Sequence, residues 1–575
     1  MLFNLLTWLD SSPAHYWLVA WSTFAFCAGL AVLSFFCVRY NEWRGNPVLF
    51  GAAMLVVLLA FRWPVLLDNR QYPDPDESQF IAEASKLRSD PMFWRSVDGS
   101  THGPLTDWPL VVASFLRGSV DFTAARVVST LVVWIELISA WLIFRHFYKS
   151  VASVFVLPLL CAHAFTDLWR FIAYCSEHVP NTLFALGCCF LALTWQSSGT
   201  GPPRLGRLFA AGVFFGAIPF AKLQGAPIAA VGIAAGMWFL VADRGLNWNQ
   251  RRRRSLLSFI VGAATIPGII VVMVFVGRIW SDFFNSYILD NIRYAGTNKF
   301  PPERTFTWSE APRMLIKLGS YAQNFNLFVL WLTGFGVCGS LLFPFFAKWH
   351  RRWVIFAAVA TIVASCAAMA PGRPYMHYLQ LIIFPVGLFG GLVAGAVVED
   401  FRSERFGMVF LRAARAIVVI AFLICGLVPQ FWWRVTAPPR LVGRFIETQG
   451  ALAQSEVSKE ILRHGKPGER LGIWGYVPAF WVETGLIEAT RDAESSHQIE
   501  PHEYRDHYRN RFLQDLLRSQ PPVFIDAVGA GNFAYEDRNE FAHETFPELS
   551  DYLANNYQLV RDIDGSRIYV RNDRL

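Results

Sequence analysis

A polytopic α-helical membrane protein of about twelve transmembrane helices, ending in a C-terminal extracytoplasmic α/β domain, is the fold class this sequence predicts. Three observations carry that expectation. The chain has 575 residues, of which 54% are hydrophobic and only 17% charged. Apolar runs long enough to cross a bilayer as helices recur from Tyr16 to Arg434. Beyond that point the composition turns polar and the hydrophobic period shortens.

The expected spans are 16–38, 48–67, 123–144, 151–166, 171–195, 208–221, 225–242, 255–277, 325–346, 353–370, 378–397 and 408–431. The first run is longer than a signal-peptide core, has no basic leader and is followed by no small-residue cleavage site, so it reads as a retained helix. Every second connection is short and basic: Arg39 and Arg44, Arg145 and Lys149, Arg204 and Arg207, Arg244 with "RRRR" at 251–254, Lys348 with Arg351 and Arg352, and Arg402 with Arg405. Such loops belong on the cytoplasmic side, and the net charge of +7 is a topology signal rather than a nucleic-acid surface. "RRRR" then reads as an anchor that also touches anionic lipid. The long connections, 68–122, 278–324, 371–377 and the tail, fall outside, and two spans before the first long loop put the N-terminus outside too.

This divides the chain into a membrane domain, 1–433, with extracytoplasmic loops 68–122 and 278–324, and an α/β domain, 434–575. In the tail, "ERLGIWG" and "PPVFIDAVG" read as short buried strands, and "YQLVRDIDGSRIYVRN" as a hairpin turning at Asp564-Gly565. "EYRDHYRNRFLQDLLRS" puts Tyr504, Tyr508, Phe512 and Leu516 on one helical face. Nine cysteines, Cys27, Cys37, Cys161, Cys175, Cys188, Cys189, Cys338, Cys366 and Cys425, all sit in apolar runs with no CxxC pair, so neither a disulfide framework nor a zinc site is encoded.

Chemistry collects on the outer side. "QYPDPDESQF" places Asp74, Asp76 and Glu77 beside a membrane segment, where carboxylates are costly unless solvated, paired or used. Two readings stand: a cap, with Asp76 starting a helix near Glu77, or a working cluster. In the same loop, "STHGPLTDWP" fixes a turn beside His102. "CSEHVP" puts Glu177 and His178 at the outer end of a span, "PFAKLQGAP" puts Lys222 in an outer turn, and "APGRPYMHYLQLIIFP" adds Arg373, Tyr375, His377 and Tyr378. Arg293, Tyr294 and Lys299 in the loop 278–324, stiffened by Pro301-Pro302, are further phosphate or sugar contacts, or part of a loop lying on the membrane. Each residue alone also fits a snorkelling anchor, a satisfied histidine or an aromatic belt. Their coincidence on the side that topology anchors avoid fits transfer of a group from a phosphate-bearing lipid. A carboxylate accepts the acceptor's proton, and cations neutralise the departing phosphate.

"PDPDESQFIAEA" after a transmembrane helix, followed by "HGPLTDWP", resembles the first extracytoplasmic loop of the GT-C glycosyltransferases, the superfamily of the lipid A aminoarabinose transferases and the protein O-mannosyltransferases. The likeness extends to Glu177, to the Lys222 turn, to the stretch from Tyr375 to Pro385, and to "RLGIWGYVPAFWVETGLIEATR", similar to the opening of the extracytoplasmic domain of bacterial members. The resemblance implies the GT-C fold, a place in the bacterial inner membrane, and inverting transfer of a sugar from a polyprenyl-phosphate donor such as an undecaprenyl one. The acceptor would be a glycolipid, lipid A or core sugar, a polysaccharide or a protein at the periplasmic face. It implies Asp76 as the catalytic carboxylate, as general base or orienting the acceptor, with Glu77 its neighbour in the motif.

Where the aminoarabinose transferases carry Glu-Lys before a Pro-Pro turn, this chain has Thr101-His102 and Gly103-Pro104, which leaves the phosphate contact to His102, Lys222 or Arg373. A metal-dependent version of the same reading uses Asp74, Asp76 and Glu177 as oxygen ligands for Mg or Mn. The alternatives are a lipid or oligosaccharide transporter of envelope biogenesis, which would place ionisable groups near the bilayer midplane on repeated halves, and a non-catalytic scaffold.

Overall fold

The computed structural model describes residues 1–36, 47–71, 75–149, 152–166, 168–195, 203–242, 250–292, 313, 314, 316, 317, 322–373, 375–400, 408–436 and 442–575. Among these, nine helices are long and apolar enough to cross a membrane, and three shorter apolar helices, Ala152–Ala164, His178–Ala192 and Leu205–Phe220, match the remaining expected spans. The protein is therefore a polytopic helical membrane protein, with Ala152–Ala164 and His178–Ala192 almost wholly buried and Leu205–Phe220 partly exposed. Met376–Asp400 is 94% buried and forms the centre of the bundle, whereas Pro13–Ser34, at 17%, lies at its edge.

Glycines set how closely these helices approach. At Gly395 a Cβ would sit 2.1 Å from the Tyr148 ring, and at Gly216 it would sit 2.1 Å from the Ala263 carbonyl. Small residues at such crossings are what brings helix backbones together where no water drives association.

"RRRR" at 251–254 lies in the first turns of the helix Gln250–Val276 rather than before it. An additional helix, Leu2–Asp10, precedes the first span and exposes Leu2, Phe3, Leu5 and Trp8. Its Asp10 carboxylate accepts the Ile446 amide at 2.8 Å, which ties the N-terminus to the start of the C-terminal domain.

The first long loop folds into two helices, Asp76–Ser89 and Pro104–Arg117, packed on each other. Pro75, not Asp76, holds the N-cap position of the first, so Asp76 and Glu77 both lie in the opening turn, where the helix dipole favours negative charge. Asp121 caps the helix Phe122–Tyr148 through the Ala124 amide at 2.8 Å. One turn into that helix, Arg126 reaches back to Glu77. Beyond Trp280 the chain runs through a π-helical turn, Phe283–Leu289.

The C-terminal domain is a five-stranded sheet ordered β2-β1-β3-β5-β4, with β1 Arg470–Gly475, β2 Ile487–Glu488, β3 Val523–Ala527, β4 Tyr557–Ile563 and β5 Ser566–Arg571. β1 pairs parallel with β2 and β3, and β5 pairs antiparallel with β3 and β4. The expected strands are β1 and β3, and the expected hairpin is β4-β5. Asp564 and Gly565 both take positive φ, 48° and 76°, the pattern of a type I′ turn. Tyr508, Phe512 and Leu516 are buried as the helical face requires, but Tyr504 is exposed, because the helix Arg505–Ser519 begins after it.

Buried ion pairs fasten this domain to the loops. Arg511 bridges Asp98 of the first loop and Asp492, and its guanidinium donates to Ser286 of the π-turn at 3.1 Å. Arg491 joins Asp515 to Asp282 at 2.9 Å each. The Arg511 guanidinium and the Ser286 hydroxyl hold the Asp98 carboxyl below its usual range, although burial opposes them.

Candidate functional site

A cavity of about 490 Å³ opens where the ends of the membrane helices, the first loop and the C-terminal domain meet. The membrane helices supply a cationic and aromatic wall: Arg170, Lys222, Arg373, Tyr375, His377 and Tyr378. Asp76, Gln79 and Phe80 enter from the first loop, Asp290 and Asn291 from the end of the π-turn, and Tyr476, Glu494, Glu500, Phe533 and Tyr535 from the C-terminal domain.

Lys222 is set by a break in the helical pattern. The helix Leu205–Ala217 runs into two short 3₁₀ turns, Ile218–Phe220 and Leu223–Gly225, and Lys222 lies between them with extended backbone. Its ammonium donates to the Ser176 hydroxyl at 2.7 Å and to the Glu177 carboxylate, and sits 5.0 Å from the centre of the Tyr378 ring. Residues 173–177 are likewise non-helical, so the helix starts only at His178. Irregular backbone at this depth is tolerated where it lines a cavity. His377 approaches Glu177 at 3.9 Å and stacks on Tyr375 at 5.6 Å. Glu177, fully buried behind the cavity wall, thus holds the Lys222 ammonium and lies beside the His377 ring, both of which line the cavity.

Asp76 enters the cavity from the first loop, and its Oδ1 accepts the Tyr476 hydroxyl at 3.0 Å. Glu77, one residue on, points away. Both its oxygens accept Nε of Arg126 at 3.1 Å, Oε2 also accepts Nη2 at 2.7 Å, and Oε1 accepts the Tyr174 amide at 3.0 Å. Its carboxylate is engaged by the frame rather than turned to the cavity.

His102 is also outside the cavity. It is fully buried, within 2.9 Å of Glu83 and 3.0 Å of Asp107, and lies edge-on to Phe80. Burial alone would lower its pKa, but Asp107 and Glu83 raise it well above the ordinary histidine value. Burial, reinforced by Glu83 against the pull of His102, pushes Asp107 up to about 7. His178 is buried against Ser129 at 3.2 Å and Cys175. Arg293, Tyr294 and Lys299 lie outside the described residues, as does Asp74.

Asp76 and Glu177, expected as metal ligands, each have another partner in this structure. The ammonium of Lys222 already neutralises Glu177, and Asp76 is bonded to Tyr476. Among the described residues, the clusters of three or more potential ligands within 4.8 Å of one another are Glu83, His102 and Asp107, and Asp526, His543 and Glu544, and neither contains Asp76 or Glu177.

Sequence reasoning missed the C-terminal half of the cavity, which no local pattern marks. It also missed Arg170, for which a signal existed: an arginine in an outer connection departs from the basic-inside pattern.

No family model and no curated protein matches the chain. Among solved structures, ArnT from Cupriavidus metallidurans bound to undecaprenyl phosphate matches with a TM-score of 0.53 and 14% identity over 91% of this chain and 97% of that one. The same protein in the apo state matches at 0.47 and 15%, over 91% and 97%. The Archaeoglobus fulgidus oligosaccharyltransferase tethered to an acceptor peptide matches at 0.40 and 11%, over 84% and 69%. The first match shows a shared fold across nearly the whole chain, in agreement with the resemblance of the first loop.

Proposed function

We propose that this chain is an integral-membrane glycosyltransferase that moves a sugar from a polyprenyl-phosphate donor to a hydroxyl or amine acceptor, with inversion, at the outer face of a bacterial inner membrane. The observation that carries the reading is the cavity at the ends of the membrane helices that Asp76, Lys222, Arg373 and His377 line together. The ArnT structure that shares this fold holds undecaprenyl phosphate, which supports a lipid of that class as donor carrier.

The chemistry follows from the two walls. The lipid phosphate lies against Lys222 and Arg373, which neutralise the charge it gains as the bond from the sugar's anomeric carbon to phosphate oxygen breaks. The electron pair of that bond stays on the phosphate. The acceptor oxygen or nitrogen attacks the anomeric carbon from the opposite face, and its proton passes to Asp76. Tyr476 holds the Asp76 carboxylate in place, and Glu177 holds Lys222. A single displacement of this kind needs a base and a stabilised leaving group.

The test is Asp76→Asn in purified protein, assayed for sugar transfer from radiolabelled polyprenyl-phosphate sugars. Loss of transfer with retained donor binding is the expected result. Unchanged turnover overturns the role of Asp76, and absence of turnover by the wild type with every lipid donor overturns the glycosyltransferase reading in favour of a transporter or scaffold.

A further inference from the structure

The C-terminal wall of the cavity has a chemistry that the transfer step does not use. A tight turn shapes its rim: the Tyr535 amide donates to the Phe533 carbonyl at 2.9 Å around Ala534, whose φ is +65°. A non-glycine residue adopts that conformation only at a steric cost, and outliers of this kind concentrate at ligand sites. The turn carries Phe533 and Tyr535, both of which line the cavity. Phe533 is 46% exposed and its ring meets Tyr476 edge-on at 5.4 Å, while the Tyr535 hydroxyl donates to Glu500 at 3.3 Å. Beside them Glu494 accepts the Ser496 hydroxyl at 2.8 Å. Burial first, with Glu500 and Asp98 adding to it, pushes the Glu494 carboxyl up against the pull of His497 and Ser496.

An exposed aromatic face offers an apolar platform to the C–H face of a sugar ring. Two carboxyl groups beside it offer paired acceptors to neighbouring hydroxyls. Acidic groups here disfavour phosphates and acidic sugars, for which Arg170, Lys222 and Arg373 line the same cavity.

We infer that the C-terminal domain forms a binding subsite for an uncharged, polyhydroxylated sugar ring, with Phe533 as platform and Glu494 and Glu500 as hydroxyl acceptors. This deepens the functional reading above and rests on it for the occupant of the cavity. The ring belongs to the donor or to a sugar acceptor, and both present the same chemistry.

The full chain in lipid nanodiscs is titrated with undecaprenyl phosphate and with undecaprenyl-phosphate glucose. Separately, methyl glucoside and methyl glucuronide are followed by saturation-transfer NMR with undecaprenyl phosphate bound. For a donor ring, the wild type binds the glucosylated lipid about tenfold more tightly than the bare one. Phe533→Ala and Glu494→Gln remove that increment and leave binding of the bare lipid within about twofold. For an acceptor ring, the increment is absent, and methyl glucoside gives a signal that the two variants abolish. The inference is overturned if the variants leave both readouts unchanged, if they weaken the bare lipid equally, if neither sugar probe binds, or if methyl glucuronide binds as well as the glucoside. Failure of the wild type to bind undecaprenyl phosphate overturns the functional reading instead, and the methyl glucoside arm, repeated without lipid, then still decides the subsite.

Discussion

Asp76 and Glu77 are adjacent in sequence and one helical step apart, yet opposite effects are expected when each loses its charge. In Glu77→Gln the carboxylate that takes three contacts from Arg126, at 2.7–3.1 Å, and the Tyr174 amide at 3.0 Å becomes a neutral amide. Hydrogen bonds to charged groups contribute about 1.5–3 kcal/mol each. The one remaining carbonyl oxygen keeps about half of them, and the Arg126 guanidinium, itself 0% exposed, loses the charge of its Glu77 partner. Removing one partner of a buried pair costs about 3–5 kcal/mol, which is the loss expected here. Asp76→Asn weakens the bond from Tyr476 and should cost about 1 kcal/mol while abolishing transfer. Thermal unfolding of both purified variants in one detergent, beside lipid binding and turnover, separates them. Glu77→Gln that melts like the wild type yet has lost transfer would place Glu77 in the chemistry and refute this division of roles.

Lys222→Ala should weaken undecaprenyl phosphate binding and destabilise the chain by about 3–5 kcal/mol, since it strips the buried Glu177 of its cation. The double variant Lys222→Ala/Glu177→Gln should regain stability but not binding, and recovery of both would make Lys222 purely structural. Tyr476→Phe removes the bond that orients Asp76, so turnover should fall about tenfold with donor binding unchanged, and a parallel loss of binding would contradict a positioning role. Asp107 and His102 both hold their protons more tightly in the folded state, so their stabilisation is fully present below 3.8 and 6.5 respectively and is lost as pH rises through about 7 and then through the raised histidine value. Stability should therefore decline by about 1.4 kcal/mol per pH unit for each group between its unfolded and folded values, read as a melting temperature that falls as pH rises above 6, and a flat profile would contradict the buried triad. Gly395→Ala drives a methyl group into the Tyr148 ring and should cost about 1–3 kcal/mol, read as a lower melting temperature with the same turnover at low temperature.

The sequence by itself determined the membrane architecture, because a run of about twenty apolar residues has few places to go but across a bilayer. It determined the hairpin of the C-terminal domain as well, since Asp564-Gly565 accepts the positive φ that a tight turn demands. It also gathered Asp76, Lys222, Arg373 and His377 at one end of the bundle, because the alternation of long and basic connections assigns a side to every loop.

Only the tertiary structure decided which of these groups share a volume. Asp76 and Glu77 carry the same charge in the same turn, and the choice between them depends on Arg126, 49 residues away. His102 lay in the motif and ended up in the core, because Glu83 and Asp107 converge on it. Part of the cavity wall comes from residues about 400 positions beyond Asp76, as the bond from Tyr476 shows. Local periodicity reports which face of a helix is apolar. It does not report which distant face closes over it, and that closure gives the cavity its acidic side.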